Sequence, residues 1–75
     1  MKAYVLVTTD PAKTRTVIAK MREVPGIKEA NEVMGPYDIV AEVEIDRVSD
    51  MSMILRQHIR AIEGVQATVT SVSIQ

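Results

Sequence analysis

The residues that could do chemistry are few, and they gather at the turn Gly35-Pro36-Tyr37-Asp38, in the middle of the 75-residue chain. Pro36 presets φ for a type I turn that starts at Gly35, and Tyr37 at the third position argues against type II, which takes glycine there. Gly35 lets another group approach the backbone closely, because no Cβ stands in the way. The N–H groups of Tyr37 and Asp38 can donate to a carboxylate, unless the hairpin ladder takes the second. The Asp38 carboxylate can accept from an ammonium. Donors and an anionic acceptor in one turn match the zwitterion of a free amino acid. A plainer reading has Asp38 satisfying its own turn by an Asx-type bond while Tyr37 packs, and these residues alone favour it.

Other chemistry is sparse. His58 is the single histidine and there is no cysteine, which excludes a disulfide or a histidine–cysteine metal cluster within one chain. His58 follows Ile54 and Leu55 at helical spacing, at the edge of a core stripe, so a structural role is expected. Glu42 and Glu44 share one face of a strand and suit a solvated or dimer-rim surface better than acid–base catalysis. The glycines are isolated, so no phosphate-cradling loop is expected, and no cofactor motif is present. Met21 and Met51 fit core positions; Met53 lies off the stripe beside Gln57 and Arg60 as a contact candidate. The net charge is −1 and the nine basic residues are spread along the chain, so direct nucleic-acid binding is not expected. No apolar run approaches the roughly 20 residues of a membrane span, and no signal-peptide pattern opens the chain. Cytoplasm is the default compartment, with no membrane partner.

The elements that must position the turn follow from hydrophobic periodicity. Residues Ala3 to Thr9 read as a strand, with Tyr4 and Leu6 on one face and Val5 and Val7 on the other. Apolar residues at both parities mark a central strand covered on both sides. Asp10-Pro11 starts a helix running to about Glu23, whose stripe is Val17, Ile18, Met21 and then Val24. Pro25-Gly26 ends it. Ile27 to Met34 is a second strand with imperfect alternation, which predicts a bulge or an edge. After the turn, Ile39 to Ile45 alternates cleanly. Ser49 is the expected N-cap of a second helix over about 50–62, with Gly64 as its stop. Val65 to Ile74 closes the chain as a strand whose apolar parity changes, predicting a bulge near Thr70 or Ser71.

The halves also resemble each other. The residues around Gly26 match those around Gly64; at the same offset Ala3, Val5 and Val7 meet Ala41, Val43 and Ile45, and Arg22 meets Arg60. The order β-α-β-β-α-β is the ferredoxin-like, split βαβ plan of the α+β class, one domain over 1–75. Its four-stranded antiparallel sheet carries both helices on one face. A bare second face that includes Tyr4 and Leu6 predicts dimerisation through the sheet, since soluble monomers rarely expose large apolar patches.

The run Val-Met-Gly-Pro-Tyr-Asp-Ile-Val-Ala-Glu-Val, with Val-Pro-Gly-Ile-Lys-Glu-Ala before it and Val-Gln-Ala-Thr-Val-Thr after it, resembles the effector domain of the Lrp/AsnC (feast/famine) transcription regulators. This module is also called RAM, for regulation of amino-acid metabolism. The resemblance covers essentially the whole chain. It implies sheet-to-sheet dimers that assemble into rings of four or more, and small effectors, typically amino acids, bound between dimers beside a Gly-x-Tyr-Asp turn. By position the ligand-binding set becomes Met34, Gly35, Pro36, Tyr37 and Asp38, together with Thr68 and Thr70 of the last strand facing a neighbouring subunit. Met34 stands where many relatives have a small polar residue, which implies a less polar pocket. The chain opens at the first strand, with no helix-turn-helix domain before it; taken as a whole protein it resembles the stand-alone members and is not expected to bind DNA by itself. The alternative role is that of an interaction module co-assembling with full-length Lrp/AsnC regulators. An enzyme of the dimeric α/β-barrel kind ranks last, with His58 and Glu42 as its only acid–base pair. On this basis Asp38→Ala is expected to weaken effector binding and spare the fold.

Overall fold

The computed structural model describes residues 1–74. Strand β1 (Lys2–Thr9) leads through a 3-10 turn, Pro11–Lys13, into helix α1 (Thr14–Met21). Strands β2 (Ile27–Glu32) and β3 (Ile39–Glu44) form a hairpin. Helix α2 (Val48–Ile54) runs on as a π-helical turn, Leu55–Ile59, before β4 (Val65–Val72). The sheet order is β2-β3-β1-β4, with every neighbouring pair antiparallel. This is the ferredoxin-like arrangement, and β1 is central as its double-sided apolar pattern requires.

Register decides which residues share a face. Val5 stands opposite Ala41 on β3 and Thr70 on β4, and Val7 stands opposite Ile39 and Thr68. These positions face the helices. Ala3, Val5, Val7, Ile39, Ala41 and Val43 are completely buried there against Val17, Met21 and Ile59. The opposite face presents Tyr4, Leu6, Val40 and Val69 from three adjacent strands, half-buried to exposed, with Glu42 and Glu29 paired beside them. Like charges directly opposite on a sheet are unfavourable, so this face is an apolar strip with an acidic margin.

Several boundaries differ from the sequence reading, each for a local reason. Asp10 does cap the first helical segment, accepting from Ala12 N–H at 3.0 Å, but the first turn is 3-10 and the α-helix proper starts at Thr14. The second helix starts earlier than Ser49 implies. Arg47 is its N-cap, and the Asp50 side chain reaches back to the Arg47 N–H at 3.0 Å. That carboxylate at the third helical position makes the reciprocal contact of a capping box, while the Asp50 N–H donates to the Arg47 carbonyl at 3.0 Å. The helix ends in a wide turn, with Arg60 N–H donating to Leu55 carbonyl at 2.7 Å. His58 lies on this turn and is exposed, not seated at the core's edge.

The bulge expected in β2 is present, since Lys28 is skipped between the pairs Ile27–Val43 and Glu29–Glu42. The bulge expected near Thr70 or Ser71 is not. The irregularity in β4 lies at Gln66, between the pairs Thr8–Ala67 and Thr9–Val65. From Ala67 to Val72 the register is unbroken, so Val69 and Val72 simply face opposite sides of this edge strand, while the irregularity at Gln66 turns Val65 and Ala67 to opposite faces. β2 and β3 are each shorter than read, ending at Glu32 and Glu44, and β4 ends at Val72.

Gly64 is the tightest backbone position. Its φ of +105° lies in the region that disfavours side chains, and a Cβ there would stand 2.9 Å from Lys13 Cβ and 3.1 Å from Val17 Cγ2. Lys13 meanwhile pairs with Glu63 at 2.6 Å, and that hydrogen bond and charge raise the lysine pKa and lower the glutamate's. The pair is exposed, so its weight in stability is small. Gly35 has an equally restricted φ of +146° but no atom within 4 Å of a Cβ. Gly64→Ala is therefore expected to lose about 1–3 kcal/mol through strain and clash together, and Gly35→Ala clearly less. Urea unfolding of both variants checks the order.

Candidate functional site

The hairpin tip is built around Asp38. Its carbonyl accepts from Val33 N–H at 2.9 Å, closing the β2–β3 connection, and its own N–H donates to the Val7 carbonyl at 2.9 Å. The amide suspected of belonging to a ladder is thus used, by β1. No bond closes the Gly35–Asp38 turn itself, so a hydrogen-bonded type I turn is not formed. Nor does the Asp38 side chain make an Asx-type bond within the turn. Oδ2 reaches instead across to β1, accepting from Thr9 N–H at 2.8 Å and standing 3.4 Å from Thr9 Oγ1.

The reason is topological. β3 leaves the ladder at Ile39, opposite Val7, while β1 continues to Thr9. Beyond Val7 the β1 backbone still carries a donor that needs an acceptor. The Asp38 carboxylate stands in for the missing strand carbonyl.

A second contact follows. Thr9 Oγ1 lies 2.7 Å from Thr14 Oγ1, and Thr14 Oγ1 lies 3.5 Å from the Asp10 carbonyl. Thr9 is 2 % and Thr14 6 % exposed, the two buried polar residues of the described chain. Sequence reading missed both. The signal was available, because Thr9 shares the parity of Val5 and Val7 and is therefore a hydroxyl on the core face.

Around this fixed point the remaining turn residues are open. The Tyr37 N–H donates to no described residue, and Tyr37 is half-buried. Oδ1 of Asp38 likewise takes no bond from the described residues. Pro36 is exposed and Met34 projects fully into solvent. Thr68 and Thr70 are half-buried on the helix face of β4, opposite Val7 and Val5. β1 lies between them and β3, which puts them roughly 10 Å from the β3 end, two strand spacings away. Within one chain the structure brings Asp38 to Thr9 and Thr14, and does not bring Thr68 or Thr70 to the turn. Glu42 and His58 are also apart: Glu42 is on the bare sheet face, while His58 lines a groove of about 330 Å³ with Glu44, Asp46 and Asp50. No group of three or more metal-ligating side chains forms among the described residues. Among the described residues no helix is long and apolar enough to cross a membrane.

The βαββαβ order on one antiparallel sheet defines a small α+β domain of the ferredoxin-like kind. The profile described as the Lrp/AsnC ligand binding domain matches residues 2–75, and the chain belongs to that family. The crystal structure of TTHA0845 from Thermus thermophilus superposes with a TM-score of 0.95 at 30 % identity, covering 99 % of this chain and 92 % of that one. An HTH-type transcriptional regulator of Pyrococcus furiosus is 34 % identical over 74 residues, 95 % of this chain and 49 % of the regulator. Homocitrate synthase of Sulfurisphaera tokodaii is 38 % identical over 58 residues, 77 % of this chain and 12 % of the enzyme. The chain thus spans half or less of the length of these two curated relatives. The family is regulatory, a ligand-binding domain of transcription regulators, and the segment shared with the synthase is a small part of that enzyme.

The contact between Asp38 and Thr9 gives Asp38→Ala an expected cost to the fold as well as to binding. Leaving the Thr9 N–H buried without its acceptor should cost about 1–3 kcal/mol. Asp38→Asn keeps an oxygen for that N–H and should lose clearly less, as a comparison of urea midpoints at constant slope will show.

Proposed function

We propose that this domain is an amino-acid sensor: it binds a free amino acid at the Gly35–Asp38 turn, between dimers of a larger ring, and influences transcription through that assembly. The observation that carries the reading is the pairing of unused groups in the turn. Tyr37 N–H supports a role as donor to the ligand carboxylate, and Asp38 Oδ1 as acceptor from its ammonium. The left-handed φ of Gly35, with open space where a Cβ would be, gives the ligand room against the backbone. Pro36 stiffens the turn, and Met34 offers an apolar surface for the side chain of the ligand.

Because Thr68 and Thr70 do not reach the turn of their own chain, their part in the site requires a neighbouring subunit. The bare sheet face with Tyr4, Leu6, Val40 and Val69 supports the dimer. A ligand held between dimers shifts assembly by its differential affinity for the assembled state. The recurrence of this segment in an HTH-type transcriptional regulator and in a homocitrate synthase supports sensing as the shared property. The same match to regulators supports a second reading, in which the domain joins full-length family members through the bare face without any ligand. Cytoplasm is the compartment that fits either reading.

Calorimetry against the twenty free L-amino acids, at protein concentrations where the oligomer is intact, tests the proposal. Saturable heat is expected for a coherent apolar subset, and Met34→Ser should shift that subset toward polar side chains. Silence across the panel would leave the interaction reading in its place.

A further inference from the structure

We infer that Thr9 and Thr14 are positioning residues for the ligand-reading carboxylate: a buried hydroxyl chain that fixes the Asp38 side chain so that Oδ1 alone faces the ligand. The inference rests on the sensor reading and deepens it.

A free aspartate at a hairpin tip has several rotamers and presents either oxygen, so a ligand's ammonium must first select one. Here Oδ2 is committed. It accepts from Thr9 N–H at 2.8 Å and lies 3.4 Å from Thr9 Oγ1, which in turn meets Thr14 Oγ1 at 2.7 Å. The hydroxyl protons have two possible directions. In one, Thr9 donates to Thr14 and Thr14 donates to the Asp10 carbonyl at 3.5 Å. In the other, Thr14 donates to Thr9 and Thr9 donates to the carboxylate. Both outer contacts are long, but one acceptor is a carboxylate and the other a neutral carbonyl. Hydrogen bonds to an ionised acceptor are roughly twice as strong as neutral ones, and neighbouring hydroxyls polarise one another in the same sense. The direction toward Asp38 therefore wins while the carboxylate is charged.

Burial gives this chain its leverage. Thr9 and Thr14 are 2 % and 6 % exposed, so water does not replace a missing hydroxyl. Thr14 is the first residue of α1, Thr9 the last of β1, and Asp38 the end of the hairpin. Three separate elements thus meet here: β1 contacts the Asp38 oxygen directly, and α1 reaches it through the Thr9 hydroxyl. The Thr9 N–H finds the acceptor it needs in Asp38 Oδ2 without either hydroxyl; the two hydroxyls add orientation. Ligand affinity is then raised by removing the cost of selecting a rotamer, which is how preorganisation acts.

The test uses the intact oligomer and the same panel of twenty L-amino acids by calorimetry, with melting temperatures recorded for each protein. Thr14→Val and Thr9→Val keep the shape, and Thr9→Val keeps the N–H bond to Asp38. Each is expected to weaken binding of the responding amino acids by about three- to tenfold through lost preorganisation. Thr14→Ser, which restores the hydroxyl, should return to within about twofold of the wild type. Unchanged affinity in either folded valine variant, or failure of serine to rescue, overturns the inference and leaves the sensor reading standing. Silence of the wild type overturns both. Should Thr14→Val not fold, Thr9→Val and Thr14→Ser carry the decision.

Discussion

One hydrogen bond settles how the ends of this fold meet. β1 outruns β3 by two residues, and the donor left over at Thr9 is buried and must be satisfied. The Asp38 carboxylate satisfies it at 2.8 Å, while Asp38's own amide and carbonyl bind Val7 and Val33. A single residue thus ties β1, β2 and β3 together where the ladder stops. The neighbouring residue Asp10 donates to the Gly64 carbonyl at 2.9 Å, which brings the start of β4 to the same place. The hairpin tip that carries the candidate site is consequently held from its base while its far side, from Met34 to Tyr37, remains open to another molecule.

The rest of the domain is economical in a way that bears on assembly. A chain of this length buries roughly 60 % of its unfolded surface, and nearly all of its buried apolar residues lie between one sheet face and two helices. The two sheet edges are treated differently. On β2, Arg22 places Nε and Nη2 on the Ala30 carbonyl at 3.0 and 2.8 Å, and charges at Lys28, Glu29 and Glu32 with a bulge discourage further pairing. β4, Val65–Val72, carries no charged residue. Its helix-facing side chains include Thr68 and Thr70, so the polar groups proposed to complete a neighbour's site sit on the edge that bears the least electrostatic protection.

The sequence made the architecture legible because its periodicities are strong and consistent with one another. Ala3, Val5 and Val7 alternate toward the helices, Ile39, Ala41 and Val43 repeat the pattern, and Val17, Ile18 and Met21 supply the facing stripe. Pro25-Gly26 and Gly64 mark where the two helices stop, although helical geometry ends earlier than read, at Met21 and Ile59. What stayed hidden was mostly non-local, apart from the start of the second helix. A capping preference points to Ser49, but the reach of Asp50 back to Arg47 moves the helix start by a turn's fraction. The bulge at Gln66 lies opposite the end of β1, between the pairs Thr8–Ala67 and Thr9–Val65. Above all, the partner of Asp38 lies 29 positions away. Turn chemistry read locally allowed a ligand or an Asx bond, and the structure uses one carboxylate oxygen for a third purpose. Thr9 and Thr14 went unnoticed because a threonine at the end of a strand or the start of a helix fits both elements without further explanation.

Amide hydrogen exchange of the uncomplexed protein at neutral pH, read residue by residue at the hairpin tip, tests this account most directly. A side-chain carboxylate closing the end of β1 predicts that Thr9 and Asp38 amides are protected to a degree comparable with Val7, while the Tyr37 amide exchanges close to the rate of an unstructured chain. An unprotected Thr9 would mean that the carboxylate is not held by β1 and that the geometry assigned to the site is wrong. A protected Tyr37 would mean that the donor proposed for the ligand is already in use.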